Sequence, residues 1–203
     1  MQIGIIGAGT VGTKLGERFA AAGHEVLIAN SRGPESLVRE LAELPQSLKA
    51  MALMDLVDRA EVILLAVPWV SVHDVLRDDI DWAGRILVDA TNIILSVDPE
   101  VEVADLKGES GSQLVARLAP SARVVKAFNT LPFDILSSPP VEGFRRVLFV
   151  AGDAQNAVST VSDLIAEIGL HPVAAGPLAT AGRQMEIGGV FSRLELFAAD
   201  EVP

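Results

Sequence analysis

The sequence predicts an α/β fold with a doubly wound, mostly parallel β-sheet and a short C-terminal appendage. Apolar runs of strand length recur along the 203 residues, and stretches with the apolar spacing of an amphipathic helix separate most of them. The strand-like runs are apolar on consecutive residues, which is typical of strands that are buried on both faces of a parallel sheet. Helices are therefore expected to cover both faces.

The predicted elements alternate along the chain. Strands are predicted at residues 3–6, 25–29, 48–53, 61–67, 85–91, 123–128, 146–151 and 171–175. Helices are predicted at residues 11–22, at 55–59, at 113–119, at 154–168 and after Pro34, where Leu37, Leu41 and Leu44 have helical spacing.

We expect one domain, residues 1–178, followed by a short segment of residues 179–203. Crossover connections between parallel strands are nearly always right-handed, so a ligand should bind at the carboxyl ends of the strands. Two irregular stretches, residues 96–111 and 131–143, follow predicted strands and should lie on that edge. The C-terminal segment is a candidate for part of the substrate site or of a dimer interface.

The composition excludes several classes of function. The net charge of −11 opposes binding to nucleic acid or to an anionic membrane, because both are polyanions. The absence of cysteine excludes disulfides and thiolate metal sites, and it fits a reducing cytoplasmic setting. His24, His73 and His171 lack the spacing of a metal site. No signal peptide is recognisable and no apolar run reaches the about 20 residues of a membrane span, so we expect a soluble protein.

The first apolar run is followed by a G-x-G-x-x-G sequence, at Gly7, Gly9 and Gly12. This motif is specific because it joins a strand to a helix inside a βαβ unit of about 30 residues. Gly7 permits a tight turn, Gly9 lets a pyrophosphate approach the backbone, and Gly12 lets the helix pack against the strand. The N–H groups of Thr10 and Val11 then face the phosphates at the helix N-terminus. The motif predicts a Rossmann-type dinucleotide site.

The end of the second strand indicates NADP(H). NAD-dependent proteins usually carry Asp or Glu there to bind the ribose hydroxyls, whereas this chain has Asn30, Ser31 and Arg32. Ser31 offers a hydroxyl, and Arg32 offers a planar cation that suits phosphate oxygens. The other interpretation is a polar turn with a solvated arginine. The missing acid also disfavours FAD.

Five blocks in this order carry a family resemblance: residues 4–12, 30–32, 66–69, 125–130 and 175–178. Together they resemble the NADPH-dependent reductases of coenzyme F420, the 8-hydroxy-5-deazaflavin. The first domain is also similar to the NADP-binding domain of the metazoan membrane ferric reductases.

The resemblance implies a set of cofactor-binding residues. It places the pyrophosphate on the glycine loop and the 2′-phosphate beside Ser31 and Arg32. It places Val67 and Pro68 beside the ribose and pyrophosphate. The nicotinamide would then lie, with the deazaflavin stacked over it, near Asn92, Ala127 and Asn129.

The residues themselves allow two interpretations of Asn92 and Asn129. Each follows a predicted strand, so both should reach the carboxyl edge, where they could hydrogen-bond a carboxamide. Both could equally be turn-forming asparagines.

Three functions are compatible with these features. The first is hydride transfer between NADP(H) and a deazaflavin or flavin acceptor, for which no catalytic side chain is expected because the cofactors carry the reactivity. The second is reduction of a small carbonyl or imine substrate, which needs a proton donor such as Thr130, His73 or His171. The third is a non-catalytic NADPH-sensing module. The resemblance also makes a homodimer an expectation.

Overall fold

A sheet of nine strands forms the centre of the computed structural model, which describes residues 1–37, 47–136, 138–139 and 141–199. The strands in chain order are β1 (Gln2–Ile6), β2 (Glu25–Ala29), β3 (Leu48–Ala50), β4 (Val62–Leu65), β5 (Ile86–Asp89), β6 (Ile94–Ser96), β7 (Glu102–Val103), β8 (Arg123–Lys126), β9 (Phe144–Gly152), β10 (His171–Gly176) and β11 (Phe197–Ala199). Strands β6 and β7 pair with each other as a separate antiparallel hairpin.

Helices and helical turns connect the strands. The helices are α1 (Thr10–Ala21), α2 (Leu53–Arg59), α3 (Val72–Val75), α4 (Gly111–Leu118), α5 (Phe133–Leu136), α6 (Gln155–Glu167) and α7 (Arg183–Met185). Short 3₁₀ turns lie at Pro34–Ser36 and Trp69–Ser71, and a π-helical turn lies at Leu178–Gly182.

The sheet is mostly parallel, as predicted. Strands β3, β2, β1, β4, β5 and β8 lie side by side in this order and run parallel. Strand β9 joins β8 in the antiparallel direction, and β10 runs parallel to β9. Strand β11 pairs antiparallel with the first residues of β9. The doubly wound α/β prediction is therefore confirmed, with two reversed strands at one side.

The carboxyl ends of β2, β1, β4, β5 and β8 meet along one side of the sheet, which we call the carboxyl edge. Neighbouring strands are about 4.8 Å apart, so the four steps from β2 to β8 span about 19 Å. Every predicted cofactor-binding residue follows one of these five strands.

Some predicted elements differ in length. The strand predicted at residues 48–53 ends at Ala50, because Leu53 already begins α2. After Pro34 the structure describes a 3₁₀ turn, Pro34–Ser36, and Leu41 and Leu44 lie outside the described residues. The stretches expected to be irregular contain β7 and α5.

The C-terminal segment packs on one face of the sheet. Leu178, Ala181 and Met185 are buried in the same apolar cluster as Trp69 and Val115. Packing against this face carries the chain back to the carboxyl edge. Within the described ranges, no helix combines the length and the apolar character that crossing a membrane requires.

Candidate functional site

The turn after β1 is built so that only glycine fits at two positions. Gly7 has a φ of +114°, and a Cβ there would overlap the carbonyl oxygen of Ala66. A Cβ at Gly12 would overlap the carbonyl oxygen of Gly7, so helix α1 lies directly against the turn. Gly9 differs, because a Cβ there would meet no atom within 4 Å. The open space beside Gly9 fits a group that approaches the backbone closely.

The N-terminus of α1 faces this open space. Gly9 is the N-cap residue, and no side chain in the described part of the chain caps the helix or places an acid in its first turn. The first intrahelical bond runs from the N–H of Thr13 to the carbonyl oxygen of Gly9, at 2.9 Å. The earlier N–H groups, including those of Thr10 and Val11, have no helical partner and suit an anion. These features fit a pyrophosphate.

The turn after β2 is held by Asn30. Its Oδ1 accepts the backbone N–H of Arg32 at 3.0 Å, and its Nδ2 donates to Ser36 Oγ at 2.8 Å. Ser36 Oγ in turn donates to the carbonyl oxygen of Gly33 at 2.7 Å, and Gly33 needs its φ of +86°. Ser31 and Arg32 remain exposed on this braced turn. The side chain of Asn30 therefore makes its described hydrogen bonds inside the turn, while its neighbours face outward.

The segment after β4 lies beside the glycine turn. The N–H of Ala66 donates to the carbonyl oxygen of Ile6 at 2.8 Å, and its own carbonyl abuts Gly7. Val67 is half-buried and Pro68 is exposed. These two residues thus lie next to the glycine turn on the carboxyl edge.

Asn92 and Asn129 hydrogen-bond each other across the ends of β5 and β8. Asn129 Nδ2 donates to Asn92 Oδ1 at 3.1 Å and to the carbonyl oxygen of Met185 at 2.9 Å. Asn92 Nδ2 donates to the carbonyl oxygen of Asn129 at 3.2 Å. Because two carbonyl-type oxygens fix the amino side of Asn129, the orientation of its amide is determined.

One polar atom of the asparagine pair makes no hydrogen bond with the described residues. Asn129 Oδ1 is buried and accepts no hydrogen bond from the described residues. A buried acceptor without a donor is costly, and native structures rarely keep one without a reason. The amino group of a nicotinamide carboxamide would supply the missing donor, so the asparagine pair fits that end of the cofactor.

The backbone between Ala127 and Asn129 is strained. Phe128 has a φ of +67°, a left-handed conformation that is unusual for a bulky side chain. Its ring is buried edge-on against Phe19, with the ring centroids 6.2 Å apart. Ala127 is fully buried, and its N–H donates to the carbonyl oxygen of Asp89. Such strain concentrates at ligand sites, and the sequence did not indicate it.

A buried ion pair joins the last residues of β5 and β8 at the carboxyl edge. Lys126 and Asp89 are both fully buried, with Nζ and Oδ2 3.1 Å apart. Lys126 Nζ also donates to the carbonyl oxygen of Thr91, and Asp89 Oδ1 accepts both the N–H and the hydroxyl of Thr91. Ser112 donates to Asp89 Oδ2. The pair therefore holds Thr91, the residue directly before Asn92, by hydrogen bonds.

The charges of this pair stabilise each other. Burial alone would raise the pKa of Asp89, but the charge of Lys126 and the donated hydrogen bonds outweigh it and hold that pKa below its usual value. Neither residue was among the predicted site residues. A charged residue at the carboxyl end of each of two buried strands was the signal that could have identified them.

The C-terminal segment contributes a carboxyl group close to the Asn92–Asn129 pair. Glu186, which follows Met185, is 6% exposed, and its Oε1 accepts the N–H of Gly111 at 2.5 Å. Burial is the largest cause of a raised pKa at Glu186. A cleft of about 360 Å³ opens beside it, lined by Ile93, by residues between 104 and 109, and by residues between 183 and 189. The segment thus forms one wall of a cleft next to the asparagine pair.

The three proton-donor candidates are scattered. Thr130 Oγ1 is buried without a hydrogen-bond partner among the described residues. His73 is exposed on α3, and His171 begins β10, two strands beyond β8. Only Thr130 therefore lies beside Asn129. Within the described residues no group of three or more side chains could hold a metal ion.

Comparisons with known proteins identify a family. A family model described as NADP oxidoreductase, coenzyme F420-dependent, matches residues 2–93. The F420-dependent NADP reductase of Methanothermobacter thermautotrophicus is 32% identical, over 89% of this chain and 83% of that protein. The metalloreductase STEAP3 of Rattus norvegicus is 31% identical over 91% of this chain, which spans 36% of that protein's length.

A solved structure is similar over nearly the whole chain. A hypothetical protein of Sinorhizobium meliloti has a TM-score of 0.88 and 41% sequence identity, with 98% of this chain and 96% of that chain covered. The similarity therefore extends beyond the glycine motif to the C-terminal segment.

Proposed function

Because the chain belongs to the family of coenzyme F420-dependent NADP oxidoreductases, we propose that it transfers hydride between NADP(H) and a planar deazaflavin or flavin acceptor. The observation that carries this proposal is the position of the Asn92–Asn129 pair. The pair follows β5 and β8, on the same edge as the glycine turn. It hydrogen-bonds the carbonyl of Met185, and the next residue, Glu186, lines the cleft.

The order of the strands supports an extended cofactor along the carboxyl edge. Ser31 and Arg32 after β2 would hold the 2′-phosphate, and Gly9, Thr10 and Val11 after β1 would hold the pyrophosphate. Val67 and Pro68 after β4 would lie beside the ribose. Asn129 Oδ1 would accept the carboxamide amino group, which fixes the ring at the mouth of the cleft.

For the hydride transfer itself, the chain contributes the orientation of the two reactants. NADPH supplies the hydride when it is bound. The Asp89–Lys126 pair hydrogen-bonds Thr91, the residue before Asn92, and the left-handed Phe128 directly precedes Asn129. Residues 183–189 close the cleft on one side, so the acceptor can be held over the nicotinamide.

Reduction of a small carbonyl or imine is the second candidate. The unpartnered hydroxyl of Thr130 favours it, because such a substrate needs a hydrogen-bond donor beside the nicotinamide. Both candidates share the cofactor site and differ in what enters the cleft.

Steady-state oxidation of NADPH with coenzyme F420, FMN, FAD and a panel of carbonyls and imines tests the proposal. NADPH binding is measured in parallel, so that a misfolded preparation is recognised. We expect turnover with F420 or a flavin. Turnover with carbonyls or imines alone would establish the second candidate. Tight NADPH binding without turnover of any compound would favour a sensing module and overturn the proposal.

The expected homodimer and cytoplasmic location stay predictions. Sedimentation of the purified chain with and without NADPH tests the first, and fractionation of the source cells tests the second.

A further inference from the structure

The wall of the cleft carries a buried carboxyl group next to the asparagine pair. Glu186 lines the cleft together with Ile93 and Arg183. The carbonyl of the preceding residue, Met185, accepts the side-chain amide of Asn129. The carboxyl group is therefore one residue from the contact that orients the candidate nicotinamide site.

The two oxygens of this carboxyl group are not equivalent. Oε1 accepts the backbone N–H of Gly111, at the first residue of α4. No hydrogen bond to Oε2 is found among the described residues. A side chain at position 111 would crowd this contact, because a Cβ there would lie 3.1 Å from Oε1 and 2.8 Å from Ile93 Cγ2. Oε1 thus anchors the carboxyl group, and Oε2 makes no hydrogen bond with the described residues.

Burial and four neighbouring groups act on the pKa of Glu186. Burial raises its pKa most, and the charge of Asp89 raises it further. The charge of Lys126, the hydrogen bond from Gly111 and the charge of Arg183 oppose this shift, and the net effect is a raised pKa. Two further acids line the same cleft from the loop before α4: Asp105 and Glu109.

We propose that Glu186 is the general acid that protonates the acceptor as it takes up hydride. This inference rests on the proposed function, because it needs an acceptor in the cleft. Reduction of a deazaflavin or flavin adds one hydride and one proton, and a carboxyl group in the wall of the cleft can deliver the proton.

The step balances as follows for coenzyme F420. The hydride leaves C4 of NADPH, which becomes NADP⁺, and forms a C–H bond at C5 of the deazaflavin. The displaced electron pair reaches N1, which takes the proton of the Glu186 carboxyl group. The carboxylate then takes a proton from water in the open cleft. NADPH, F420 and one proton become NADP⁺ and reduced F420.

Two substitutions of Glu186 distinguish a role as proton donor from a role as hydrogen-bond acceptor for Gly111. Glu186→Gln keeps an oxygen for the N–H of Gly111 but has no acidic proton, whereas Glu186→Ala loses both. We expect each to lower kcat for F420 or FMN reduction by about 100-fold, the usual contribution of a general acid. The KM for NADPH should stay within about 2-fold in Glu186→Gln, because a general acid acts in the transition state. Glu102→Gln, an exposed acid on β7 outside the cleft lining, is the control for loss of one negative charge.

The pH profile gives a second kinetic readout. In the wild type, kcat for acceptor reduction should fall as the pH rises through the pKa of Glu186, because the acid form is active. The kcat of the reverse reaction should rise over the same pH range. Both pH dependences should disappear in Glu186→Gln.

A measurement without turnover completes the test. The protein is labelled with glutamate that carries ¹³C in the side-chain carboxyl group, and the Glu186 resonance is identified by its loss in Glu186→Gln. We expect this resonance to titrate above the ordinary glutamate range. Titration in the ordinary range, or full kcat in Glu186→Gln with loss only in Glu186→Ala, would overturn the acid role. Absence of turnover in the wild type with every acceptor would instead overturn the proposed function and this inference with it.

Discussion

Asn129 donates its side-chain amide to the side-chain oxygen of Asn92 at 3.1 Å, across the ends of two adjacent parallel strands. Its remaining oxygen is buried and, in the part of the chain that the structure describes, lacks a donor. The relationship joins two residues 37 positions apart in sequence. We propose that this oxygen accepts the amino group of the nicotinamide carboxamide.

Substitution of Asn129 should weaken binding of the nicotinamide end alone. In Asn129→Ala we expect the Kd for NADPH to rise about 10-fold, the cost of one lost hydrogen bond to a buried group. The Kd for 2′-phospho-ADP-ribose, which lacks the nicotinamide, should not change. Calorimetric titration measures both constants, with Asn156→Ala on the exposed start of α6 as the control. An equal rise for both ligands would contradict the assigned role.

Substitution of Arg32 should remove the preference for the 2′-phosphate. Arg32→Ala should raise the Kd for NADPH roughly 10- to 100-fold, because charge-assisted hydrogen bonds to phosphate are lost. The Kd for NADH should change little. Arg77→Ala, which removes an exposed arginine that follows α3, is the matched control. Equal losses for NADPH and NADH would contradict the preference and leave the fold prediction intact.

The two glycines Gly9 and Gly12 should respond differently to alanine. Gly9→Ala meets open space, so the melting temperature should be kept while NADPH binding weakens, because the methyl group occupies the approach of the pyrophosphate. Gly12→Ala overlaps the carbonyl of Gly7, so both stability and binding should fall. Thermal melts with and without NADPH measure this. Loss of stability in Gly9→Ala would show that the space is not available to a ligand.

Asp89 and Lys126 should have coupled effects on the free energy of unfolding. Lys126→Met leaves Asp89 buried without its partner and should lower the free energy of unfolding by about 3–5 kcal/mol. The double variant Lys126→Met with Asp89→Leu should lose much less than the sum of the two single changes. Urea denaturation of the four proteins measures the coupling. Additive effects would mean that the two groups do not depend on each other.

Asp89 should also make stability depend on pH. Its pKa is lowered in the folded protein, so its contribution is present above its unfolded pKa of about 3.9 and is lost as the pH falls further. Urea midpoints of the wild type should therefore decline from about pH 4 downward. Asp89→Asn should be less stable at pH 7 and should lack this part of the decline, whereas the exposed Asp55→Asn should retain it.

Local signals in the sequence predicted β1, α1, β2 and β4. The turn at Gly7, Gly9 and Gly12 was identifiable because its geometry depends on the backbone of a few neighbouring residues. Asn92 and Asn129 were expected at the carboxyl edge because each follows a predicted strand. Their mutual hydrogen bond was not predictable, since it depends on β5 and β8 being neighbours in the sheet.

The C-terminal half depends on contacts that no local pattern encodes. The reversed direction of β9 leaves no trace in its apolar run, because a strand buried on both faces has the same pattern in either direction. The contact of Glu186 with Gly111 joins residues 75 positions apart, and glycines around residue 186 gave no helical pattern. The left-handed Phe128 is likewise imposed by its surroundings and not by its own preference.

In the proposed function, hydride passes directly from NADPH, held along the carboxyl edge, to an acceptor in the cleft. A single turnover with NADPH deuterated at both C4 positions and coenzyme F420, followed by mass spectrometry of the reduced F420, follows this transfer. Direct transfer predicts one deuterium in the reduced F420, at the carbon that received the hydride. Bound NADPH that stays unoxidised, or reduced F420 without deuterium, would contradict it.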